Sequence, residues 1–224
     1  MAEARRRSAR DGSLSTLLAA AGPTIGSDPF LAGLSRTLAV HPPADVFAGM
    51  ALDDGSLWNL RNAVRSVLVP KRVFALADAL LTAGIEAAPK AESKDLHLDR
   101  MLVRLELDDP DAALVDATFL ATDPTTKGEA QSHNAVAYCH LRRKDYPAVL
   151  APARQALRLD AEHWWADNNL GIALFHLGKE DQAFVHLGKA MAAGATYDPD
   201  PPLTNHPRFL ALQKQHARRS PRKS

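Results

Sequence analysis

The chain has 224 residues, 46% of them hydrophobic and 24% charged, with a formal net charge of +1. That composition excludes disorder throughout, and the length allows one ordinary domain or an array of about four to six helix pairs of about 34 residues each. The single cysteine, Cys139, excludes an internal disulfide and a cysteine-rich zinc site and fits a reducing compartment, the cytoplasm; no run of about 18 apolar residues marks a membrane span.

In chain order, residues 1–12 carry Arg5, Arg6, Arg7 and Arg10 against Glu3 and Asp11, and read as a disordered basic start. A short apolar stretch with Ala19-Ala20-Ala21 follows and faintly resembles an export signal. Ser and Thr inside it, and acids in the basic part, argue against that reading. Residues 13–55 read as short helices of unassigned type, near 13–21, 28–40 (Phe30, Leu31, Leu34, Leu38) and 44–52, punctuated by Pro42-Pro43 and Gly55.

From Ser56 a helical rhythm begins. Leu57, Leu60, Val64, Val67 and Leu68 form one stripe, which Pro70 ends. Val73, Phe74, Ala77, Leu80 and Leu81 form the next, with Gly84 placed to end it in a left-handed conformation. A second pair runs from about Glu92 to Leu107 (stripe Leu98, Met101, Leu102, Leu105) and from Asp111 to Thr122. Asp108, Asp109 and Asp111 read as a turn with N-capping acids rather than half a calcium loop, because the loop's glycine and closing glutamate are absent.

The third pair spans about 127–142 and 146–158. Thr126-Lys127-Gly128-Glu129 has the spacing of a capping box at its start. The fourth spans about 164–177 and 180–193, with turns at Gly178 and Gly194. Closing positions at Pro89, Pro124, Ala161 and Ala195 recur at the interval of a helical repeat, about 34 residues. Tyr197 to Pro202 reads as non-helical. A stripe around Phe209, Leu210 and Leu212 reads as a capping helix, and residues 208–224 hold six Lys and Arg with no acid. The body between the two basic ends is therefore acidic.

The fourth pair, NNLGIALFHLGKEDQAFVHLGKAM, resembles the tetratricopeptide repeat. Leu170-Gly171, Leu174, Ala183, Leu187 and Ala190 stand at the spacing of that pattern, with small residues where two helices cross. The third pair is similar with Ala135 in the glycine position, Tyr138 in the aromatic one and Ala153 and Ala156 in the second helix, its central turn, Arg142 to Tyr146, then being about two residues longer than the pattern. The likeness extends by periodicity to 56–124. It implies an all-α fold, a right-handed helical-repeat solenoid over 56–197, then a Pro-rich linker 198–205, a capping helix 206–218 and a disordered basic tail 219–224.

The resemblance also implies a job. First helices of such repeats line a concave groove that holds a peptide or partner protein. By position, Trp165, Asn168, Ile172, Phe175 and His176 would line it in the fourth pair, and Ser132, Val136, Cys139 and His140 in the third. No Lys or Arg stands among these, so a carboxylate clamp is not expected. A client-specific assembly or secretion chaperone and a non-catalytic accessory subunit of an enzyme are the alternatives.

No enzyme signature is present: no phosphate loop, no His-Glu-x-x-His, no Gly-x-Ser-x-Gly. His140 directly follows Cys139 and points about 100° away on a helix, so it is not placed to act as its base. His133 and His140 lie two turns apart, too far for one metal ion, whereas His140 and His176 take equivalent repeat positions and are expected to neighbour one another. No catalytic residue, metal, cofactor, small-molecule substrate or membrane contact is expected. Nucleic acid would be touched by the basic tail alone.

Overall fold

A computed structural model describes residues 54–70, 72–89, 93–195 and 201–219. The short helices expected before residue 54, and the tail beyond residue 219, lie outside the described residues. The described residues are helical, with no strand among them. The chain divides into two compact units, Met1–Asp116 and Ala117–Ser224.

In the first unit, α1 (Asp54–Ala63) widens into a π-turn at Val64–Leu68, and α2 (Phe74–Ala87) and α3 (Lys94–Glu106) follow. The helix α4 (Pro110–Thr122) starts in this unit and ends in the next. Leu57, Leu60, Val64 and Leu68 of the first expected stripe are buried with Ala77, Leu80 and Leu81 of the second. Gly84 does not end a helix. It lies inside α2, where an added Cβ would stand 2.5 Å from Leu60 Cδ2, so its role is close approach rather than a left-handed cap. On α3, Met101 and Leu105 are buried as the stripe requires. Leu102 is exposed and Asp99 is buried, because Arg61 of α1 and Arg65 of the π-turn bring counter-charge to that side.

The second unit holds α5 (Ala130–Arg142), α6 (Tyr146–Leu159), α7 (Trp164–His176), α8 (Glu180–Ala192), the single turn α9 (Pro201–Thr204) and α10 (Pro207–Arg219). Neighbours α5–α6, α6–α7 and α7–α8 pack together, α5 touches α7, and α10 lies on α8. The Thr126 side chain does not cap α5: its Oγ1 donates to the Leu120 carbonyl at 2.5 Å, and Glu129 takes the cap position without a side-chain bond. The hydroxyl finds a nearer acceptor in the end of the preceding helix. Pro201 and Pro202 open α9 rather than forbid it, since first-turn residues need no N–H donor.

One turn recurs. Arg72, Asp108, Lys144 and Gly178 all have φ between 57° and 72°, one in each successive helix pair at a nearly constant interval. At each, the residue's N–H reaches back three residues and the next N–H reaches back five, as Lys144 to Leu141 and Asp145 to His140. This is the Schellman end of a helix. A buried triplet recurs with it in the second helix of each pair: Ala77, Leu81, Gly84; then Ala113, Ala117, Leu120; then Val149, Ala153, Ala156; then Ala183, Leu187, Ala190.

Candidate functional site

The helices α5 and α7 have the same length and stand one hairpin apart in the chain, each followed by the same turn. Matching them residue by residue corrects the expected register of the third pair by two. Ala137, not Ala135, stands where Gly171 stands. The crossing residues differ: Gly171 faces bulky Leu187, whereas Ala137 and Ala153 stand at the matching places within one buried cluster. Two alanines two residues apart offered the sequence no means of choosing.

The positions that match across the two helices shift accordingly. Trp165, Asn168, Ile172, Phe175 and His176 on α7 correspond to Gln131, Asn134, Tyr138, Leu141 and Arg142 on α5. Exposure follows the same order on both helices: exposed, buried, half-buried and half-buried for the first four positions. Ser132, Val136, Cys139 and His140 correspond instead to Ala166, Leu170, Ala173 and Leu174, all buried. Cys139 has no exposed surface and Ser132 almost none, so neither offers a contact to a partner. Matched this way, the exposed Arg142 takes the position on α5 that His176 takes on α7. His140 and His176 are not equivalent: His176 stacks on Tyr146 at 4.2 Å between ring centres, whereas His140 lies near Asp145.

At the start of α7, His163 Nδ1 accepts the Ala166 N–H at 3.3 Å, and its Nε2 donates to Gln131 Oε1 at 3.2 Å. One tautomer serves both bonds. Trp164 and Trp165 stack at 3.9 Å, leaving Trp165 51% exposed. Below them, Asn169 Nδ2 donates to Asn134 Oδ1 at 2.9 Å in a buried bond between α5 and α7. Asn168 is 9% exposed, and its carboxamide oxygen has no hydrogen-bond partner. At the far end, Arg142 lies over the Tyr138 ring and donates to its hydroxyl at 3.3 Å. Phe175 turns inward: its ring meets His176, Phe184 and His206 edge-on at 5.5–6.0 Å, so it packs the end of the unit more than it faces outward.

Polar chemistry also gathers in the first unit, where the sequence reading placed none. Asp116 is fully buried and takes hydrogen bonds from His97 (2.8 Å), Arg100 (2.6 Å) and Arg104 (2.8 Å). Burial alone would raise its carboxyl, but the bonds from His97 and Arg100 and the charges of Arg100 and Arg104 outweigh this and hold it below the usual 3.8. Arg61 and Arg65 converge on Asp99, and Arg104 reaches Asp78. The legible signal was like charge at i and i+4: Arg61/Arg65, Asp95/Asp99, Arg100/Arg104. Every carboxylate here is matched by a cation, so the cluster holds helices together. Among the described residues no three His, Cys, Asp or Glu side chains converge as a metal site would require, and no helix is long and apolar enough to cross a membrane.

No protein-family model, curated protein or solved structure matches this chain.

Proposed function

We propose that the chain is a protein-interaction module of the tetratricopeptide type, a right-handed array of helix pairs that holds an extended segment of a partner protein on the face of α5 and α7. The recurring Schellman turns and buried triplets support the array, because similar hairpins at a nearly constant interval are the mark of a helical repeat. The observation that carries the binding reading is the matched face itself. Two neighbouring helices present an exposed edge (Gln131, Trp165), buried carboxamides (Asn134, Asn168) and half-buried apolar or aromatic side chains (Tyr138, Ile172) in the same order. An aromatic anchor beside hydrogen-bonding groups is the chemistry of an interface centre. The Asn168 oxygen lacks a donor that a backbone N–H of an extended segment supplies.

Site-specific photo-cross-linking tests this. A photoreactive residue at Gln131 or Trp165 is expected to capture a protein partner, and one at Val185, exposed on α8, is not. Equal labelling from Val185, or none from the α5–α7 face, sinks the reading.

A further inference from the structure

His140 sits at an interior position of the α5–α6 hairpin, where the next hairpin has buried Leu174. Its Nδ1 is buried and makes no hydrogen bond; the nearest acid is Asp145, with Oδ2 3.8 Å away, beyond bonding distance. Asp145 has a second duty. It is the N-cap of α6, and its Oδ1 accepts the Ala148 N–H at 3.4 Å, a longer bond than the 3.1 Å by which Asp109 caps α4. The next residue, Tyr146, begins α6 and stacks on His176 of the candidate face with the rings 7° from parallel.

We propose that protonation of His140 draws Asp145 off the N-cap of α6 and onto the imidazolium, and so unsettles the Tyr146–His176 stack: an acid-operated switch beside the candidate face. Closing the 3.8 Å gap to a charged hydrogen bond needs Asp145 Oδ2 to move by about 1 Å, and Oδ1 moves with it, away from a cap bond that is already long and shares the Ala148 N–H with the Asp145 carbonyl. Three influences act on the ring. Burial pushes the imidazole down, Asp145 pulls it up and Arg143 pushes it down, leaving it below the 6.5 of a free imidazole. The neutral form therefore belongs to the folded state. The stability it brings is present above pH about 6.5 and is lost as pH falls toward the lower folded value. His176, stacked on Tyr146, is a further titratable group there. That the switch acts on a bound partner rests on the function proposed above; the switch itself needs none.

Nuclear magnetic resonance titration of the full chain decides it. As pH falls from roughly 7.5 to 5, the His140 ring signals and the Ala148 amide are expected to move together with one midpoint below 6.5, the amide upfield as it loses the carboxylate. In His140→Leu the Ala148 movement vanishes. In Asp145→Asn, which keeps a capping oxygen without its charge, Ala148 stands still and the His140 midpoint falls, because the attracting carboxylate is gone. In His176→Gln the movement persists. The proposal is overturned if Ala148 stays fixed while His140 titrates in the unaltered chain, if Ala148 still titrates in His140→Leu, or if His176→Gln abolishes the movement. None of these signals depends on a partner, so this result and the cross-linking result fail separately.

Discussion

Gly171 offers the sharpest test of how the hairpins are packed. A Cβ added there would stand 2.8 Å from Leu187 Cγ, 3.0 Å from its Cδ2 and 3.1 Å from its backbone nitrogen. Relaxed carbon contacts lie at about 3.5–4.0 Å, so the gap is short by roughly 0.7 Å. Leu187 is fully buried, and one of the three atoms is backbone, so no side-chain rotation relieves the clash. Overpacking of this kind costs about 1–3 kcal/mol, whereas alanine in place of glycine inside a helix returns about 1 kcal/mol of propensity. Gly171→Ala is therefore expected to destabilise the chain by about 1 kcal/mol, in the direction of the packing cost. The neighbouring hairpin supplies the comparison, because there Ala137 and Ala153, buried in one cluster, hold the matching positions. Leu187→Ala alone should cost about 2–5 kcal/mol through the cavity it leaves. In that background Gly171→Ala should turn nearly neutral or stabilising by up to about 1 kcal/mol, since both side-chain contacts are gone, only the 3.1 Å approach to the backbone nitrogen is left and the propensity gain remains. Urea denaturation of the four proteins in this double-mutant cycle measures both signs. Stabilisation by Gly171→Ala in the native background, or the same sign in both, would show that the crossing is not as tight as described.

Two further expectations concern the buried polar groups. Asp116→Asn strips the charge from the site where His97, Arg100 and Arg104 meet, and should cost about 3 kcal/mol at neutral pH, as removal of one partner of a buried ion pair does. Because the Asp116 pKa is held below 3.8 in the folded state, that difference should be full above pH 4 and shrink as pH falls through the lower folded value; a difference independent of pH between 2 and 6 would refute it. Asn134→Ala leaves the Asn169 amide buried without an acceptor and should cost about 1–3 kcal/mol in thermal or chemical melts, whereas Asn134→Leu combined with Asn169→Leu, which leaves no buried polar group unpaired, should cost less. Equal losses from both would mean that the Asn134–Asn169 bond is not what holds α5 to α7 there.

Much of the helical framework was legible without coordinates. The apolar stripes, the prolines and the glycines mark hairpins whose ends agree with the structure to within about three residues from Lys94 onward, and positive φ at Gly178 and Gly194 follows from glycine's freedom at a helix end. The capping duty of Asp109 was equally local. These features depend on a residue and its near neighbours in the chain, so the pattern of residues suffices to read them. What stayed open depends on partners far away. Ala135 and Ala137 are alike until Ala153 and Val149 of the second helix pack against one of them. Gly84 reads as a helix end until Leu60, from the preceding helix, lies against it. Asp99 and Asp116 look like solvated charges until arginines 12–38 residues distant meet them. Phe175 belongs to the face by its position on α7 and to the packing by its contacts with Phe184 and His206. Only the assembled helices settle such cases, because burying a charge or a ring is favourable only when the counter-charge or the facing surface arrives from another element of the fold.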